Sequence, residues 1–86
     1  MKFLAISTNL ADPTPHIAAE MQEMERLFGS GVVERLLLKA DRSGAVLLME
    51  APDAATAQSA VDSLPLARHG ITRFALTPVV EPVAPA

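Results

Sequence analysis

The sequence predicts one small α+β domain whose elements follow the order β-α-β-β-α-β, and three observations predict it. Four short apolar runs are bounded by turn-forming residues, as is typical of strands. Two further segments carry apolar residues at helical spacing. The sequence Asp41-Arg42-Ser43-Gly44 joins the two middle strands at hairpin length. This order is the ferredoxin-like arrangement, in which two helices cover one face of a four-stranded antiparallel sheet.

The first strand is predicted at residues 2–9, where an apolar run turns polar. Alternation places Leu4 and Ile6 on one face of this strand. The opposite face receives Phe3, Ala5, Ser7 and Asn9. The strand stops at the two prolines that follow, Pro13 and Pro15.

The first helix is predicted to begin at Thr14 as N-cap, with Pro15 at the first helical position. Its apolar stripe consists of Ile17, Met21, Met24, Leu27 and Phe28. We assign the acidic residues of this helix, Glu20 among them, to its solvent-facing surface. Gly29 or Gly31 ends the helix.

The second and third strands are predicted at residues 32–40 and 45–51. The third strand is apolar at successive positions, in Val46-Leu47-Leu48-Met49, so both of its faces should be covered. Helices on one side of the sheet leave the other side free, and a second copy of the chain is the simplest cover. A domain of 86 residues is also marginal alone. We therefore expect a homodimer or a larger homo-oligomer.

The second helix is predicted to begin at Asp53 as N-cap and to end at Leu64, where Pro65 breaks it. Its inward residues are Ala57, Ala60, Val61 and Leu64. The fourth strand covers residues 71–77. We expect one domain at residues 1–79 and a proline-rich, extended tail at residues 80–86.

Composition excludes several classes of function. The chain has no Cys, so disulfides and thiolate catalysis are excluded, and we expect a cytoplasmic protein. The formal net charge is −3, and the chain has no Trp or Tyr on which bases could stack, so we expect no nucleic-acid partner. No apolar run approaches the roughly 20 residues of a membrane span. The sequence shows no metal-ligand spacing and no nucleotide-binding motif, so we expect no metal and no cofactor.

Several segments resemble the muconolactone-isomerase-like family. They are Met1-Lys2-Phe3-Leu4, residues 31–53, Leu64-Pro65-Leu66 and Thr77-Pro78. The chain is similar above all to an uncharacterised branch, through Gly31-Val32-Val33, Met49-Glu50-Ala51 and Arg68-His69-Gly70. The resemblance implies a dimeric α/β barrel and a small-molecule ligand. In the second strand, Val33 and Leu37 stand where the isomerases have tryptophans, Arg35 replaces a His and Leu38 replaces an Arg. We therefore expect a substrate other than muconolactone.

An isomerase that shifts a proton beside a carbonyl needs a base and a group that steadies the enolate oxygen. The candidate bases are Glu50, His69 and His16, and for Glu50 an apolar setting would raise the pKa. The candidate substrate-binding residues share one parity of their strands: Ser7, Asn9, Arg35, Lys39 and Arg73. The alternative is that these long cationic side chains pair with Glu34 and Glu50 at the edge of a dimer.

The leading function predicted is a cofactor-free isomerase or cyclase that acts by proton transfer on a small, largely apolar carbonyl or lactone compound. The first alternative is a non-catalytic module of the same fold that binds a small ligand or another protein. The second alternative is a small monooxygenase-like barrel. Convergence of Arg35, Lys39, Arg73 and Glu50 on one closed cavity would favour the enzyme. Their spread along a solvated edge would favour the non-catalytic module.

Overall fold

The computed structural model describes residues 1–83, and the predicted tail residues 84–86 lie outside the described part. The elements are β1 (Lys2–Asn9), a 3-10 helix (Thr14–His16), α1 (Ile17–Gly29), β2 (Val33–Leu38), β3 (Ala45–Glu50), α2 (Ala54–Asp62), α3 (Pro65–Arg68) and β4 (Thr72–Val79). The sheet order is β2-β3-β1-β4, and all neighbouring strands are antiparallel. The predicted order and the ferredoxin-like architecture are confirmed; the domain boundary at residue 79 stays a prediction.

The helices cover one face of the sheet, and the core lies between the helices and that face. Phe3, Ala5, Leu47 and Met49 point to this covered face and are fully buried. Ala57, Val61 and Leu64 pack on the same cluster from the helical side. The other side of the sheet, which we call the open face, carries paired apolar residues of three strands. They are Leu4 opposite Leu48, and Ile6 between Val46 and Ala75.

Helix α1 is turned about its axis relative to the prediction. Of the predicted stripe, Met24 and Leu27 are buried, but Ile17, Met21 and Phe28 remain 40–45% exposed. Glu20 is only 6% exposed, so its assignment to the surface is wrong. Residues at i, i+4 and i+7 share one helix face. Glu20, Met24 and Leu27 have this spacing, and they form the face turned to the sheet.

The start of the first helical segment also differs from the prediction. The predicted N-cap, Thr14, is the first residue of the 3-10 helix and follows Pro13. The capping acceptor is Asp12, whose Oδ1 accepts hydrogen bonds from the Thr14 backbone N–H (3.0 Å) and hydroxyl (2.7 Å). An aspartate side chain that accepts from the backbone N–H two residues later forms an Asx-turn. Here this turn takes the place of the predicted cap by Thr14. In α2 the prediction is confirmed, because Asp53 Oδ1 accepts from the Thr56 N–H at 2.7 Å.

The β2–β3 hairpin folds back onto the end of β1. The Asn9 backbone N–H donates to the Ser43 carbonyl at 2.7 Å. The Ala45 N–H donates to Ser7 Oγ, also at 2.7 Å. A Cβ on Gly44 would lie 2.0 Å from the Ser7 carbonyl oxygen, so glycine is required here. Arg42, in the same turn, has a left-handed backbone with φ 64°.

The two outer strands carry irregular features. Strand β4 continues through Pro78 to Val79, two residues past its predicted end, and it lies at one edge of the sheet. Proline is tolerated on an edge strand because its missing N–H can lie on the side that has no neighbouring strand. Strand β2, at the other edge, has a register shift at Glu34. Within residues 1–83, no helix has the length and apolar character needed to cross a bilayer.

Candidate functional site

A cavity of about 220 Å³ lies between α1 and the covered face of the sheet, beside the end of β1. Its walls are mainly apolar, and they include Ile17, Met21, Met24, Leu36, Leu66 and Phe74. Its polar lining consists of Ser7, Asn9, Glu20, Arg42 and Thr72. The cavity is thus an apolar space with few polar groups, which is the usual composition of a small-molecule site.

Glu20 is the buried carboxylate of this cavity. Its Oε1 accepts a hydrogen bond from the Leu66 backbone N–H at 3.0 Å, near the start of α3. No second hydrogen bond to this carboxylate occurs within residues 1–83. Burial raises the pKa of Glu20 above its ordinary value, and the Leu66 N–H opposes this only in part. A carboxyl group with a raised pKa holds its proton more tightly, so it is suited to general acid–base chemistry.

Hydrogen bonds fix the orientation of the Asn9 and Thr72 side chains in the lining. The Thr72 hydroxyl donates to Asn9 Oδ1 at 2.8 Å. Asn9 Nδ2 in turn donates to the Arg42 carbonyl at 3.4 Å. Ser7 and Thr72 are themselves buried, with 2% and 6% exposure. These bonds assign the Asn9 amide, so that its nitrogen and not its oxygen faces the hairpin.

Glu50, a predicted base, lies away from the cavity. Its carboxylate is 3.1 Å from the amino group of Met1 and 3.6 Å from Lys2 Nζ. The hydrogen bond to that amino group is the largest of the influences that lower the pKa of Glu50. The expectation of a raised pKa is therefore wrong, because two cationic groups stabilise the charged form. A catalytic role for Glu50 remains a prediction.

The two histidines, predicted as separate candidates, meet in the structure. The rings of His16 and His69 are stacked, with centroids 4.3 Å apart and an angle of 24° between planes. Three residues within three positions of these histidines in the sequence line the cavity, namely Pro13, Ile17 and Leu66. Neither histidine is part of the lining. Within residues 1–83, no group of three or more His, Cys, Asp or Glu side chains is arranged to hold a metal. The catalytic roles of His16 and His69 stay predictions.

The predicted cationic cluster does not form within one chain. Arg35 is paired with Leu48, and Arg73 with Thr8, so both belong to the open face. They lie on opposite edge strands of the sheet, which puts them roughly 14 Å or more apart at the usual spacing of strands.

Ser7 and Asn9 lie on the covered face, where they are paired with Phe74 and Thr72. The prediction that they share a sheet face with Arg35 and Arg73 is therefore wrong. The extra residue Glu34 shifts the register of β2, and parity cannot be carried from one strand to another across such a bulge. Lys39 follows the end of β2, where its backbone N–H donates to the Gly44 carbonyl at 2.9 Å. The predicted substrate contacts of Arg35, Lys39 and Arg73 remain predictions.

Three polar residues of the lining, Glu20, Arg42 and Thr72, were not among the site residues predicted from the sequence. The sequence signal that could have identified Glu20 is its spacing of four residues from Met24 and seven from Leu27, which places all three on one helix face. This buried face is narrower than the predicted apolar stripe. Arg42 gave no signal, because a charged residue in a hairpin turn is ordinarily solvated. Its position depends on how the hairpin folds against β1.

Comparison with known proteins identifies the fold. No family model matches the chain, and no curated protein matches it. Among solved structures, it is similar to the 5-chloro-2-hydroxyhydroquinone dehydrochlorinase TftG from Burkholderia phenoliruptrix AC1100, in complex with 2,5-dihydroxybenzoquinone. The TM-score is 0.75 at 20% sequence identity, over 93% of this chain and 94% of that chain. The chain therefore has the fold of the dimeric α/β barrel proteins.

Proposed function

We propose that this protein is an enzyme that transfers a proton on a small, largely apolar carbonyl or lactone compound, with Glu20 as the acid–base residue. The observation that carries the proposal is a buried carboxylate with a raised pKa in the wall of a mainly apolar cavity. Pairing of such a group with a concave apolar pocket marks candidate active sites.

The size of the cavity limits the substrate. An engineered apolar cavity of about 150 Å³ binds benzene. The cavity of about 220 Å³ therefore has room for a single ring with a few substituents. Apolar walls bind the ring, and the few polar groups fix its orientation. The substrate of TftG, by its name, is likewise a single oxygenated ring.

The reaction that these residues support is removal and return of a proton beside a carbonyl group. Ionised Glu20 takes a proton from carbon, and the resulting carboxylic acid returns it at another position, which gives an isomerisation. In a cyclisation, the enolate carbon instead attacks a second carbonyl carbon of the same compound, and the carboxylic acid protonates the oxygen of that carbonyl. The enolate oxygen formed in between needs a hydrogen-bond donor. The amide nitrogen of Asn9 carries two N–H groups and uses one on the Arg42 carbonyl, so the other is available for this role.

The proposal includes a homodimer in which the open faces of two sheets meet. Leu4, Val46 and Leu48 are half-buried and Ile6 is 37% exposed on a sheet face that no helix covers in one chain. Burial of a continuous apolar sheet face is a common way for a domain of this size to gain stability. The cavity lies on the other side of the sheet, so each copy keeps its own site. No cofactor is needed for the proton transfer proposed.

Deuterium exchange tests the acid–base role directly. Wild-type protein is incubated in D₂O with a panel of enolisable lactones and cyclic ketones, and loss of the proton signal is followed by NMR. We expect Glu20→Gln to slow exchange by roughly 10²–10⁴-fold, the range for loss of a general base. Gln can still accept from the Leu66 N–H, so the contact between α1 and α3 remains. Glu25→Gln, exposed on the same helix, is the matched control and should keep the wild-type rate.

The same assay compares Glu20 with the bases predicted from the sequence. Glu50→Gln, His16→Gln and His69→Gln variants are measured beside Glu20→Gln. Full activity of Glu20→Gln, with loss in one of the other three, would transfer the role of base to that residue.

The second candidate function is non-catalytic binding of a small ligand in the same cavity. It is favoured by the bond from Glu20 to the Leu66 N–H, since this bond ties α1 to α3 and gives the carboxylate a structural role. Ligand binding by wild-type protein, without exchange of any panel member, would support this function over the enzyme.

A further inference from the structure

We propose that Arg42 binds an anionic group of the ligand, either a carboxylate or the ionised oxygen of a hydroxyl group on a one-ring compound. This inference rests on the proposed function for the cavity and adds the charge of the compound that enters it. Arg42 would act as a specificity-determining residue, distinct from the residue that moves the proton.

The position of Arg42 provides the first argument. Within residues 1–83 it is the one basic side chain that lines the cavity. None of the ion pairs within 4 Å in the described part of the chain involves it; they join Lys2, Arg26 and the Met1 amino group to glutamates. The neighbouring Asp41 is engaged instead with the Ser43 hydroxyl at 2.6 Å and the Ser43 N–H at 3.0 Å. The guanidinium thus retains its N–H donors for a ligand.

The backbone of Arg42 provides the second argument. Its φ of 64° lies in the left-handed region, which is costly for every residue with a Cβ and is usually occupied by Gly or Asn. Two hydrogen bonds hold it there. The Arg42 N–H donates to the Lys39 carbonyl at 2.9 Å, and the Asn9 side chain donates to the Arg42 carbonyl at 3.4 Å. Strained residues held in place by their surroundings occur preferentially at ligand sites.

The electrostatics of the cavity provide the third argument. Desolvation is the largest influence on the pKa of Glu20, and none of the ion pairs within 4 Å in residues 1–83 joins Arg42 to this carboxylate. The cation and the carboxylate therefore work at separate points of the same cavity. A ligand anion held at Arg42 leaves Glu20 free to exchange a proton with the rest of the ring. A guanidinium is also the side chain best shaped to bind a carboxylate through two parallel hydrogen bonds.

Benzoate and benzamide are suitable probes, because they share one ring and nearly one shape but differ in charge. Both are titrated into ¹⁵N-labelled protein, and the dissociation constants are obtained from NMR shifts. We expect wild-type protein to bind benzoate more tightly than benzamide. Arg42→Gln should weaken benzoate binding roughly tenfold or more, as expected for loss of a charged hydrogen-bonding partner, and leave benzamide binding unchanged. Arg26→Gln removes a positive charge outside the cavity and should change neither value.

Other variants make the result decisive. Arg42→Lys keeps the charge but loses the paired donors, so we expect an intermediate affinity for benzoate. Arg42→Asn tolerates the left-handed backbone and serves if the Gln variant fails to fold. Equal losses for both probes, equal affinities in wild-type protein, or binding of neither probe would each overturn the proposal.

The two proposals can fail separately. Deuterium exchange reports on the base Glu20, whereas the preference for benzoate over benzamide reports on the cation Arg42. If exchange fails while the preference persists, only the proposed reaction is contradicted. If exchange persists while Arg42→Gln keeps the full preference for benzoate, only the role of Arg42 is contradicted.

Discussion

Replacement of Gly44 by Ala tests the contact that holds the β2–β3 hairpin against β1. The added Cβ would lie 2.0 Å from the carbonyl oxygen and 2.7 Å from the carbonyl carbon of Ser7. Real Cβ contacts are essentially never shorter than 3.0 Å, so the two backbone segments must separate by about 1 Å. Both partners are backbone, and rotation of a side chain cannot relieve the clash.

The cost follows from the hydrogen bonds that this separation disturbs. Three of them cross or close the contact: Ala45 N–H to Ser7 Oγ at 2.7 Å, Asn9 N–H to the Ser43 carbonyl at 2.7 Å, and Lys39 N–H to the Gly44 carbonyl at 2.9 Å. Each is worth about 1 kcal/mol net. We therefore expect Gly44→Ala to lower the free energy of unfolding by about 3 kcal/mol. In a chain of this size the melting temperature should fall by roughly 12–24 °C.

Thermal unfolding followed by far-ultraviolet circular dichroism measures this effect at one fixed protein concentration, because association would make the melting temperature depend on it. The matched control is Gly29→Ala, the same change at the end of α1, where a Cβ meets nothing within 4 Å. It should leave stability unchanged or raise it by up to about 1 kcal/mol. A melting temperature of Gly44→Ala within about 2 °C of the wild-type value would refute the reasoning.

Two further predictions concern Glu20 and the open face. Because burial raises the pKa of folded Glu20 above 4.5, the contribution of Glu20 to the free energy of unfolding should fall as pH rises from below 4.5 through the folded pKa. Urea unfolding at several pH values gives the free energy of unfolding of both proteins, and the stability of wild-type protein relative to Glu20→Gln should decline as pH rises. Two curves of free energy against pH that stay parallel would contradict the raised pKa of Glu20. Leu48→Lys, on the open face, should convert the proposed dimer to a monomer, as measured by light scattering. Phe28→Lys, on a 40% exposed residue of α1, should not, and an unchanged mass for Leu48→Lys would contradict the proposed interface.

The parts of the fold that depend on local signals could be predicted from the sequence. Asp53 caps its helix because an aspartate three residues ahead of a free N–H is a complete capping unit. Helix α2 ends at Asp62, two residues before the predicted end at Leu64, because the residue before a proline is disfavoured in the helical region and Leu64 is extended. The short helix α3 then begins at Pro65. Such features need no knowledge of distant residues.

The parts of the site that were missed depend on contacts distant in sequence. The burial of Glu20 depends on how α1 is turned against the sheet and on a bond to Leu66, 46 residues later. The sheet face on which Arg35 lies depends on the bulge at Glu34, and alternation of residue types along the strand does not reveal a bulge. The place of Arg42 depends on the approach of Gly44 to Ser7. In each case the residue type was visible, but its direction was set by tertiary packing.

Pro78 and the bulge at Glu34 have a consequence for aggregation. A sheet whose outer strand offers a regular row of free N–H and C=O groups can recruit further strands without limit. Here Pro78 removes a donor from one edge, and the register shift at Glu34 breaks the repeat at the other. Addition of strands from another molecule is thereby hindered at both ends of the sheet. Contacts between sheet faces, in contrast, are exhausted once two molecules have met, so this chain can present apolar surface and still form a self-limiting assembly.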